Sequence, residues 1–244
     1  MPIVDVRERT VEMIRVFIGY DTREPVAFNV CAHSIVQRAS QPVSITPVML
    51  SQLANVLTRP LNALQSTQFA FSRFLVPYLC NYEGWAIFID GDMIVRRDIA
   101  DLWRLRDERY AVQVVKHAHV PKETIKFLGA TQTRYEKKNW SSVMLLNNAR
   151  ATALTPEYVN TASGLELHQF KWLHSEEDIG ALPHTWNHLV GFDAENQHAA
   201  LVHYTTGGPY FEEYRNCEHA AEWFDAFDAM TFASRNVKTS IQSA

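Results

Sequence analysis

Cysteine is scarce in this chain, and its spacing excludes two common uses of the residue. Only three cysteines occur among 244 residues, and they lie far apart, at Cys31, Cys80 and Cys217. Disulfide frameworks and zinc sites built on paired cysteines need thiols that are more numerous or more closely spaced. We therefore expect three reduced thiols, most of them buried.

Basic residues are not in excess either. The 23 lysines and arginines are outnumbered by 27 aspartates and glutamates, which gives a formal net charge of −4, whereas nucleic-acid-binding domains usually carry a basic patch. No apolar run approaches the roughly 18 residues of a membrane span, and charges interrupt the N-terminal stretch in which a signal peptide is apolar. These features predict a cytoplasmic protein with no nucleic-acid partner and no transmembrane segment.

Glycine is sparse as well, and the glycine-rich catalytic loops are missing. The chain has 9 glycines and no G-x-S-x-G, G-x-x-x-x-G-K-[ST] or G-x-G-x-x-G sequence. Hydrolase triads, kinase-type phosphate loops and dinucleotide-binding turns therefore lack local support.

The residues that are present predict an α/β fold. Hydrophobic residues make up 47% of the chain and charged residues 20%, which is typical of a globular protein. No linker divides the chain, so we predict one domain over residues 1–232 and a polar tail over 233–244. Short β-branched or aromatic runs alternate with helical patterns, which indicates a largely parallel sheet covered by helices. The predicted strands are 15–19, 43–50, 85–90, 110–115, 142–147 and 200–204, and the predicted helices are 24–39, 66–80 and 218–230. Pro47 indicates an edge strand, and Pro77 predicts a kink or an end in the second helix.

Three predicted strands end in residues that can carry chemistry: Gly19-Tyr20-Asp21, Asp90-Gly91-Asp92 and His203. Ligands of α/β sheets collect beyond the carboxyl ends of the strands, so we expect these groups to converge. Asp90 and Asp92 flank a glycine, which aims two carboxylates at one centre and lets a diphosphate approach the backbone. Such oxygen ligands suit Mg²⁺ or Mn²⁺, although the same acid-Gly-acid pattern also occurs in ordinary turns.

The segment FIDGDMIVRRDIADLW resembles the part of family 8 glycosyltransferases in which a strand ends in a D-x-D motif and leads into a helix. Four further segments resemble that family in the same order, so the resemblance extends over residues 15–211. It implies a single-domain GT-A fold, a Rossmann-like mixed sheet with helices on both faces. It also implies transfer of a hexose from a UDP-sugar donor to a saccharide or other hydroxyl acceptor, with retention of configuration. Mn²⁺ or Mg²⁺ is then bound by Asp90, Asp92 and His203.

Two of the other matching segments imply contacts with the donor nucleotide. VFIGYDTRE corresponds to the uridine-contacting turn, formed here by Gly19, Tyr20 and Asp21. AFSRFLVPYL places Arg73 where the family has an arginine that reaches the nucleotide-sugar, and its guanidinium can bridge a phosphate and a sugar hydroxyl. A salt bridge on a helix surface is the alternative for this arginine.

Two more segments imply contacts with the donor sugar. NWSSVMLLNN resembles the strand that lines the sugar pocket, with Ser142 in that strand and Trp140 where the family has asparagine. HSEEDIGALPHTWN places Glu176 and Glu177 near the reacting sugar carbon by resemblance. The alternative for these two glutamates is an acidic helix start.

HYTTGGPYF resembles the closing motif of the family, whose histidine completes the metal site. Gly208 stands at the position of the lysine that binds the diphosphate. Lysines in and beside residues 116–138 can replace that charge, and we name Lys126 among Lys116, Lys122, Lys126, Lys137 and Lys138.

Two other functions stay open at this point. A catalytically inactive nucleotide-sugar-binding protein is favoured by the missing lysine. A sugar nucleotidyltransferase also holds Mg²⁺ with acids after a strand, but it normally has a basic, glycine-rich loop after the first strand, which YDTREPVAF does not provide. No pattern indicates the acceptor or an oligomeric state.

Overall fold

Two β-sheets and six α-helices make up the part of the chain that the computed structural model describes, residues 12–60, 65–118 and 136–232. The strands are β1 (Ile14–Tyr20), β2 (Val43–Met49), β3 (Trp85–Ile89), β4 (Met93–Val95), β5 (Val112–Val114), β6 (Val143–Asn147), β7 (Ile179–Ala181), β8 (His188–Leu189) and β9 (Leu201–His203). The helices are α1 (Pro25–Val36), α2 (Val76–Leu79), α3 (Ile99–Trp103), α4 (Pro156–Thr161), α5 (Gly164–His168) and α6 (Ala220–Thr231).

The larger sheet has the strand order β2-β1-β3-β6-β5-β7. β1 runs parallel to β2 and β3, and β5 runs parallel to β7, but β6 is antiparallel to both β3 and β5. The sheet is therefore mixed, as the family resemblance implies, and the largely parallel sheet expected from the alternation of elements is wrong. Because β6 is reversed, its amino end lies beside the carboxyl end of β3, and the backbone N–H of Asp90 donates to the carbonyl of Ser142.

The smaller sheet has the order β4-β9-β8. β4 begins directly after Asp92, because the turn at residues 90–92 directs the chain away from the main sheet. The predicted strand 200–204 is present as β9, but it pairs antiparallel with β4 and parallel with β8 instead of extending the main sheet. The second sheet thus begins at the acidic turn.

The predicted helix 66–80 is much shorter in the structure. A 3₁₀ turn covers Ser72–Leu75, and only Val76–Leu79 is α-helical. Pro77 lies in the first turn of this helix, where its missing N–H breaks no intrahelical hydrogen bond. The proline therefore helps to begin a helix, and the prediction that it kinks or ends one is wrong.

The core lies on both faces of the main sheet, which explains why every residue of β3 is buried. Trp85, Ile87 and Ile89 join a cluster with residues of α1 and α3, while Ala86 and Phe88 join a cluster with residues 69–80 on the other face. A third cluster connects the smaller sheet to α6. The strand that leads into Asp90 is thus held rigidly from both sides.

Two expectations from composition can be compared with the structure. The three cysteines are free, with Cys31 and Cys80 buried and Cys217 half-buried, which confirms the first. Among the helices of the described residues, none combines the length and the apolar character that a membrane crossing requires.

Candidate functional site

Asp90, Asp92 and His203 come together, as the sequence predicts. One ligand atom from each lies within 4.8 Å of the others. His203 Nε2 is 3.5 Å from Asp92 Oδ1 and 4.0 Å from Asp90 Oδ2. All three residues are buried, at 8%, 6% and 2% exposure respectively. Two carboxylates and an imidazole from distant parts of the chain therefore face one centre, which we call the DDH cluster.

The pairing of the two sheets determines this geometry. Asp90 follows β3 in the main sheet, and Asp92 precedes β4 in the smaller one. In the antiparallel ladder between β4 and β9, Met93 pairs with His203, and the N–H of Tyr204 donates to the carbonyl of Asp92 over 3.0 Å. A shift of one residue in this register would turn the imidazole to the opposite face.

Arg73 orients one carboxylate of the cluster. Its Nη1 lies 2.8 Å from Asp90 Oδ1 and also donates to the carbonyl of Ser141 over 2.9 Å. Arg73 is only 5% exposed, and its guanidinium carbon lies over the rings of Phe69 and Phe88, at 5.2 and 5.1 Å from their centroids. The alternative of a surface salt bridge is therefore wrong, because the ion pair is buried.

Asn187 orients the imidazole of His203. The Asn187 Nδ2 group donates to the carbonyl of Asn139 over 3.2 Å and to Ser142 Oγ over 2.8 Å. A carbonyl can only accept, so this assignment leaves Asn187 Oδ1 facing His203 Nδ1 at 3.0 Å. The proton of the neutral imidazole is then on Nδ1, and the lone pair of Nε2 points toward the two carboxylates. Ser142 thus supports the DDH cluster through Asn187.

A further acid lies beside the cluster. Glu24 is 5% exposed and accepts a hydrogen bond of 2.5 Å from the hydroxyl of Tyr210. Burial raises the pKa of Glu24 to about 8, and the negative charge of Asp92 adds to the effect. Burial and the charge of Glu24 also raise the pKa of Tyr210. The negative charge of Asp92 in the DDH cluster thus raises the pKa of neighbouring groups, and a bound cation would offset that charge.

The turn predicted to contact uridine, at Gly19, Tyr20 and Asp21, is held together by the side chain of Asp21. Asp21 is 2% exposed, and its carboxylate accepts hydrogen bonds from the side chain of Arg23 and the N–H of Gln68. Burial raises the pKa of Asp21, but these hydrogen bonds outweigh it and leave the pKa below its ordinary value. The carboxylate therefore holds the turn together instead of facing a ligand. Tyr20 is half-buried and packs edge-to-face on Phe28.

Gly91 has a structural role that the sequence did not indicate. A Cβ atom at this position would lie 2.4 Å from the carbonyl oxygen of Gly19. The close approach that requires glycine is thus between the ends of β1 and β3. This contact explains the glycine without the diphosphate that the sequence predicts at Gly91.

A cavity of about 540 Å³ lies near this edge of the main sheet and is lined by Thr22, Leu50, Ser51, Ala54, Leu57, Thr58, Arg59 and Gln68.

Gly208 is constrained by Tyr210. A Cβ atom at Gly208 would lie 2.1 Å from the Tyr210 ring, so a lysine cannot occupy this position without moving that ring. Of the candidate replacement lysines, Lys116 donates to the carbonyl of Ile179, and Lys138 is buried. Lys137 pairs with Glu176. Lys122 and Lys126 lie outside the described residues.

The two predicted catalytic glutamates lie on an exposed 3₁₀ turn, Glu176–Asp178, before β7. Glu176 pairs with Lys137, and its side chain is 65% exposed. Neither glutamate belongs to the DDH cluster. This arrangement agrees with the alternative of an acidic helix start.

Sequence reasoning missed two residues of the site, Glu24 and Asn187. Glu24 lies in the segment VFIGYDTRE and Asn187 in HSEEDIGALPHTWN, but neither has a local pattern that distinguishes it from a surface residue. Their burial beside the DDH cluster results from contacts over long sequence separations, which a single sequence does not display.

The donor set fits a divalent cation. Carboxylate oxygens and one imidazole nitrogen are ligands that Mn²⁺ accepts, and Mg²⁺ takes the same carboxylates. The Nε2 lone pair of His203 is directed toward the carboxylates by the hydrogen bond at Nδ1, which is the usual outer arrangement around a metal-binding histidine. Asp90, Asp92 and His203 are therefore the residues that would hold the ion.

Comparisons with known proteins identify the family of this chain. The model of "Glycosyl transferase family 8" matches residues 26–209. Protein CDI of Arabidopsis thaliana is 46% identical over 224 residues, which cover 88% of this chain and 86% of that protein.

Solved glycosyltransferases share the GT-A fold at low identity. The apo structure of the WbbM bifunctional glycosyltransferase superposes with a TM-score of 0.62 at 13% identity, covering 93% of this chain and 50% of that one. Apo GlyE of Streptococcus pneumoniae TIGR4 gives 0.60 at 14% identity, covering 89% and 62%. The galactosyltransferase LgtC in complex with donor and acceptor sugar analogs gives 0.53 at 12% identity, covering 91% and 98%. This chain thus spans about half of WbbM and less than two thirds of GlyE. With most of its length matched by the family model and the GT-A fold in common with these enzymes, the chain belongs to glycosyltransferase family 8.

Proposed function

We propose that this glycosyltransferase moves a hexose from a UDP-sugar to an acceptor hydroxyl, with a divalent cation and with retention of configuration, in one domain of residues 1–232. The observation that carries the proposal is the convergence of Asp90, Asp92 and His203 within 4.8 Å. The family membership supports glycosyl transfer as the reaction class.

The cation, Mn²⁺ or Mg²⁺, would neutralise the charge that develops on the leaving diphosphate. The residues of this chain prepare its place. Arg73 holds the carboxylate of Asp90, and Asn187 holds His203 with Nε2 toward the carboxylates. These contacts fix the orientations of the metal-coordinating side chains before the cation binds, so little reorganisation is needed on binding.

The donor is proposed to lie along the carboxyl edge of the main sheet. The backbone of Gly19 and the ring of Tyr20 border the nucleotide, and Ser142 lies on the side of the sugar. Arg73 contributes positive charge near the diphosphate, with Lys126 as a loop candidate. Glu176 and Glu177 enter the reaction only if the sugar extends to their exposed turn.

In the proposed transfer the acceptor hydroxyl attacks the anomeric carbon from the face that the diphosphate leaves. The bond from the acceptor oxygen to that carbon forms while the bond to the diphosphate oxygen breaks. The hydroxyl proton passes to a phosphate oxygen of the leaving group. This route requires no enzymic nucleophile, and none stands out beside the DDH cluster among the described residues.

Donor turnover with and without metal tests the proposal. The wild-type chain is incubated with Mn²⁺ and a panel of UDP-hexoses, and released UDP is measured with and without saccharide acceptors. Asp92→Asn should lose Mn²⁺-dependent turnover while the thermal unfolding transition stays nearly unchanged. Asp101→Asn makes the same chemical change at an exposed acid of α3 and should keep full activity. Wild-type rates in Asp92→Asn would contradict the metal role of the cluster.

The same assay separates the two other functions. An inactive binding protein would bind UDP and Mn²⁺ without releasing UDP from any donor. A nucleotidyltransferase would instead release inorganic diphosphate from UTP and a sugar 1-phosphate. Retention is checked from the coupling constant of the anomeric proton in the product.

A further inference from the structure

A second cluster of metal-binding side chains lies outside the DDH cluster. His188, Glu218 and His219 place one ligand atom each within 4.8 Å of one another. Glu218 Oε1 is 2.9 Å from His188 Nε2 and 3.1 Å from His219 Nε2. We propose that these residues, which we call the HEH cluster, form a binding site for a transition-metal dication of the zinc class. The proposal does not depend on the transferase reaction.

The HEH cluster is separate from the DDH cluster. In the parallel pairing of β8 with β9, His188 lies opposite Val202, and Leu189 lies opposite His203. Successive residues of a strand point to opposite faces, so His188 and His203 are on different faces of the smaller sheet. The HEH cluster is on the face covered by α6, where Val202 packs with Trp223.

A carboxylate accepts a hydrogen bond from the outer nitrogen of one of the two histidines. His219 Nδ1 is 2.9 Å from Glu222 Oε1, whereas His188 Nδ1 is 3.8 Å from Asp193 Oδ2, beyond hydrogen-bond distance. The hydrogen bond at Nδ1 leaves the Nε2 lone pair of His219 for a metal. His188 Nε2 donates to Glu218 Oε1 over 2.9 Å in the metal-free chain, so a metal ion would displace the proton of that nitrogen. Two imidazoles and one carboxylate form a common zinc-binding set.

Burial and backbone strain distinguish the cluster from a surface ion pair. The side chains of His188 and His219 are 1% and 3% exposed. Within the described chain no hydrogen bond of good geometry reaches the buried Nε2 of His219, although Glu218 Oε1 is nearby. The backbone of His219 has a φ of 59°, in the left-handed region that non-glycine residues seldom adopt. A network of hydrogen bonds alone would leave that nitrogen unsatisfied, whereas a metal ion would use it.

The charges of the surroundings favour a dication. With neutral imidazoles, Glu218, Glu222 and Asp193 bring three negative charges to this region. Arg96 supplies one positive charge through its 2.6 Å ion pair with Glu222. The remaining two negative charges match one divalent ion.

Two of the three distances between ligand atoms are close to those of a bound site. Ligand atoms at about 2.0–2.1 Å from a tetrahedral Zn²⁺ are about 3.3 Å apart. The Glu218 contacts of 2.9 and 3.1 Å therefore need to open by only a few tenths of an ångström, and the two Nε2 atoms lie within 4.8 Å of each other. Glu218 is 19% exposed at its side chain and gives solvent access to the cluster, and three protein ligands leave a fourth position for water.

The test measures metal binding by the full chain after treatment with a chelator. Zn²⁺ stoichiometry is determined by equilibrium dialysis, and Co²⁺ is used as a spectroscopic probe because tetrahedral coordination intensifies its visible absorption. Two variants remove a ligand, Glu218→Gln and His219→Asn. Asparagine tolerates a positive φ, so the second variant keeps the backbone conformation, and Glu218→Gln changes a partly exposed side chain with little volume change. Asp92→Asn is the control in the DDH cluster. His184→Ala is the control in a third group of possible ligands, formed by His117, His184 and Asp193.

Because the DDH cluster also accepts a dication, the decisive signal is an equivalent of Zn²⁺, with a tetrahedral Co²⁺ spectrum, that is present in the wild type and persists in Asp92→Asn and in His184→Ala. Glu218→Gln and His219→Asn should lose this equivalent or bind it at least about 10–100-fold more weakly, by the measure of metal-site variants. Wild-type affinity in both ligand variants overturns the proposal. So does a tetrahedral signal that disappears in Asp92→Asn or in His184→Ala, because the ion then binds at another cluster, and so does the absence of bound metal in the wild type.

Discussion

Replacing Asn187 with alanine tests how the fold prepares His203 for a cation. Asn187 is 0% exposed, and its amide holds the imidazole through Nδ1 while it donates to Ser142 and Asn139. Without the amide, the Nδ1–H group of His203 has lost its acceptor in a buried place. The other imidazole tautomer, with the proton on Nε2, then becomes accessible and turns an N–H toward the carboxylates.

The expected magnitude follows from the contacts that are lost. A buried donor without its acceptor costs about 1–3 kcal/mol, and each of the two hydrogen bonds from Asn187 Nδ2 contributes about 0.5–1.5 kcal/mol. We therefore expect the free energy of unfolding of the metal-free chain to fall by about 2–6 kcal/mol. Loss of an outer partner of a metal ligand weakens affinity by about 10–100-fold, and we expect that decrease for Mn²⁺.

Urea unfolding in the presence of a chelator gives the free energy of unfolding. Isothermal titration calorimetry gives the Mn²⁺ affinity, without denaturant and at a temperature at which the wild type and the variants are folded. Asn148→Ala is the matched control, because Asn148 is also 0% exposed and donates to a backbone carbonyl, but at the far end of β6. It should lose stability and keep Mn²⁺ affinity. Unchanged Mn²⁺ affinity in Asn187→Ala would refute the argument that its amide sets the imidazole.

Three further predictions concern groups around the cluster. Arg73→Met leaves the buried Asp90 carboxylate without its ion-pair partner and should destabilise the metal-free chain by about 3–5 kcal/mol; urea unfolding should show a smaller loss when Asp90→Asn is added, and equal losses would contradict the pairing. Because burial raises the pKa of Glu24 to about 8 from an ordinary 4.5, the folded chain keeps a proton that the unfolded chain releases. The free energy of unfolding of the metal-free chain should thus fall by roughly 4 kcal/mol as the pH rises from about 5 to about 8. The same pH dependence in Glu24→Gln would show that Glu24 is not its cause. Gly208→Ala should lower the thermal midpoint through about 1–3 kcal/mol of overpacking against Tyr210, and Tyr210→Ala in the same chain should relieve that clash.

Local chemistry made part of the site predictable. Asp90 and Asp92 follow a buried apolar strand and flank a glycine, so their place at a strand end can be read without the fold. His203 was expected near them because it lies at another predicted strand end, but its role as a metal ligand came from resemblance to a family, since no local pattern connects it to residues more than a hundred positions earlier. The roles of Asp21, Glu176 and Glu177 stay predictions, since burial and salt-bridge partners decide whether a carboxylate faces a ligand.

The helical pattern of residues 66–80 shows a similar limit. Apolar residues at helical spacing are consistent with an amphipathic helix, but most of the segment forms turns that pack on the main sheet. Packing of Phe69, Phe71 and Phe74 outweighs the local propensity, because burying large aromatic side chains contributes more than a short helix does.

Neighbouring residues and order along the chain were enough to predict the alternation of strands and helices, the acidic turn after β3 and the resemblance to a family. The antiparallel direction of β6, the place of β9 in a second sheet, and the position of Asn187 and Glu24 beside the acids follow from the folded chain alone. Hydrogen-bond register and burial arise from segments far apart in sequence, and side chains acquire their orientation and charge state only when those segments meet.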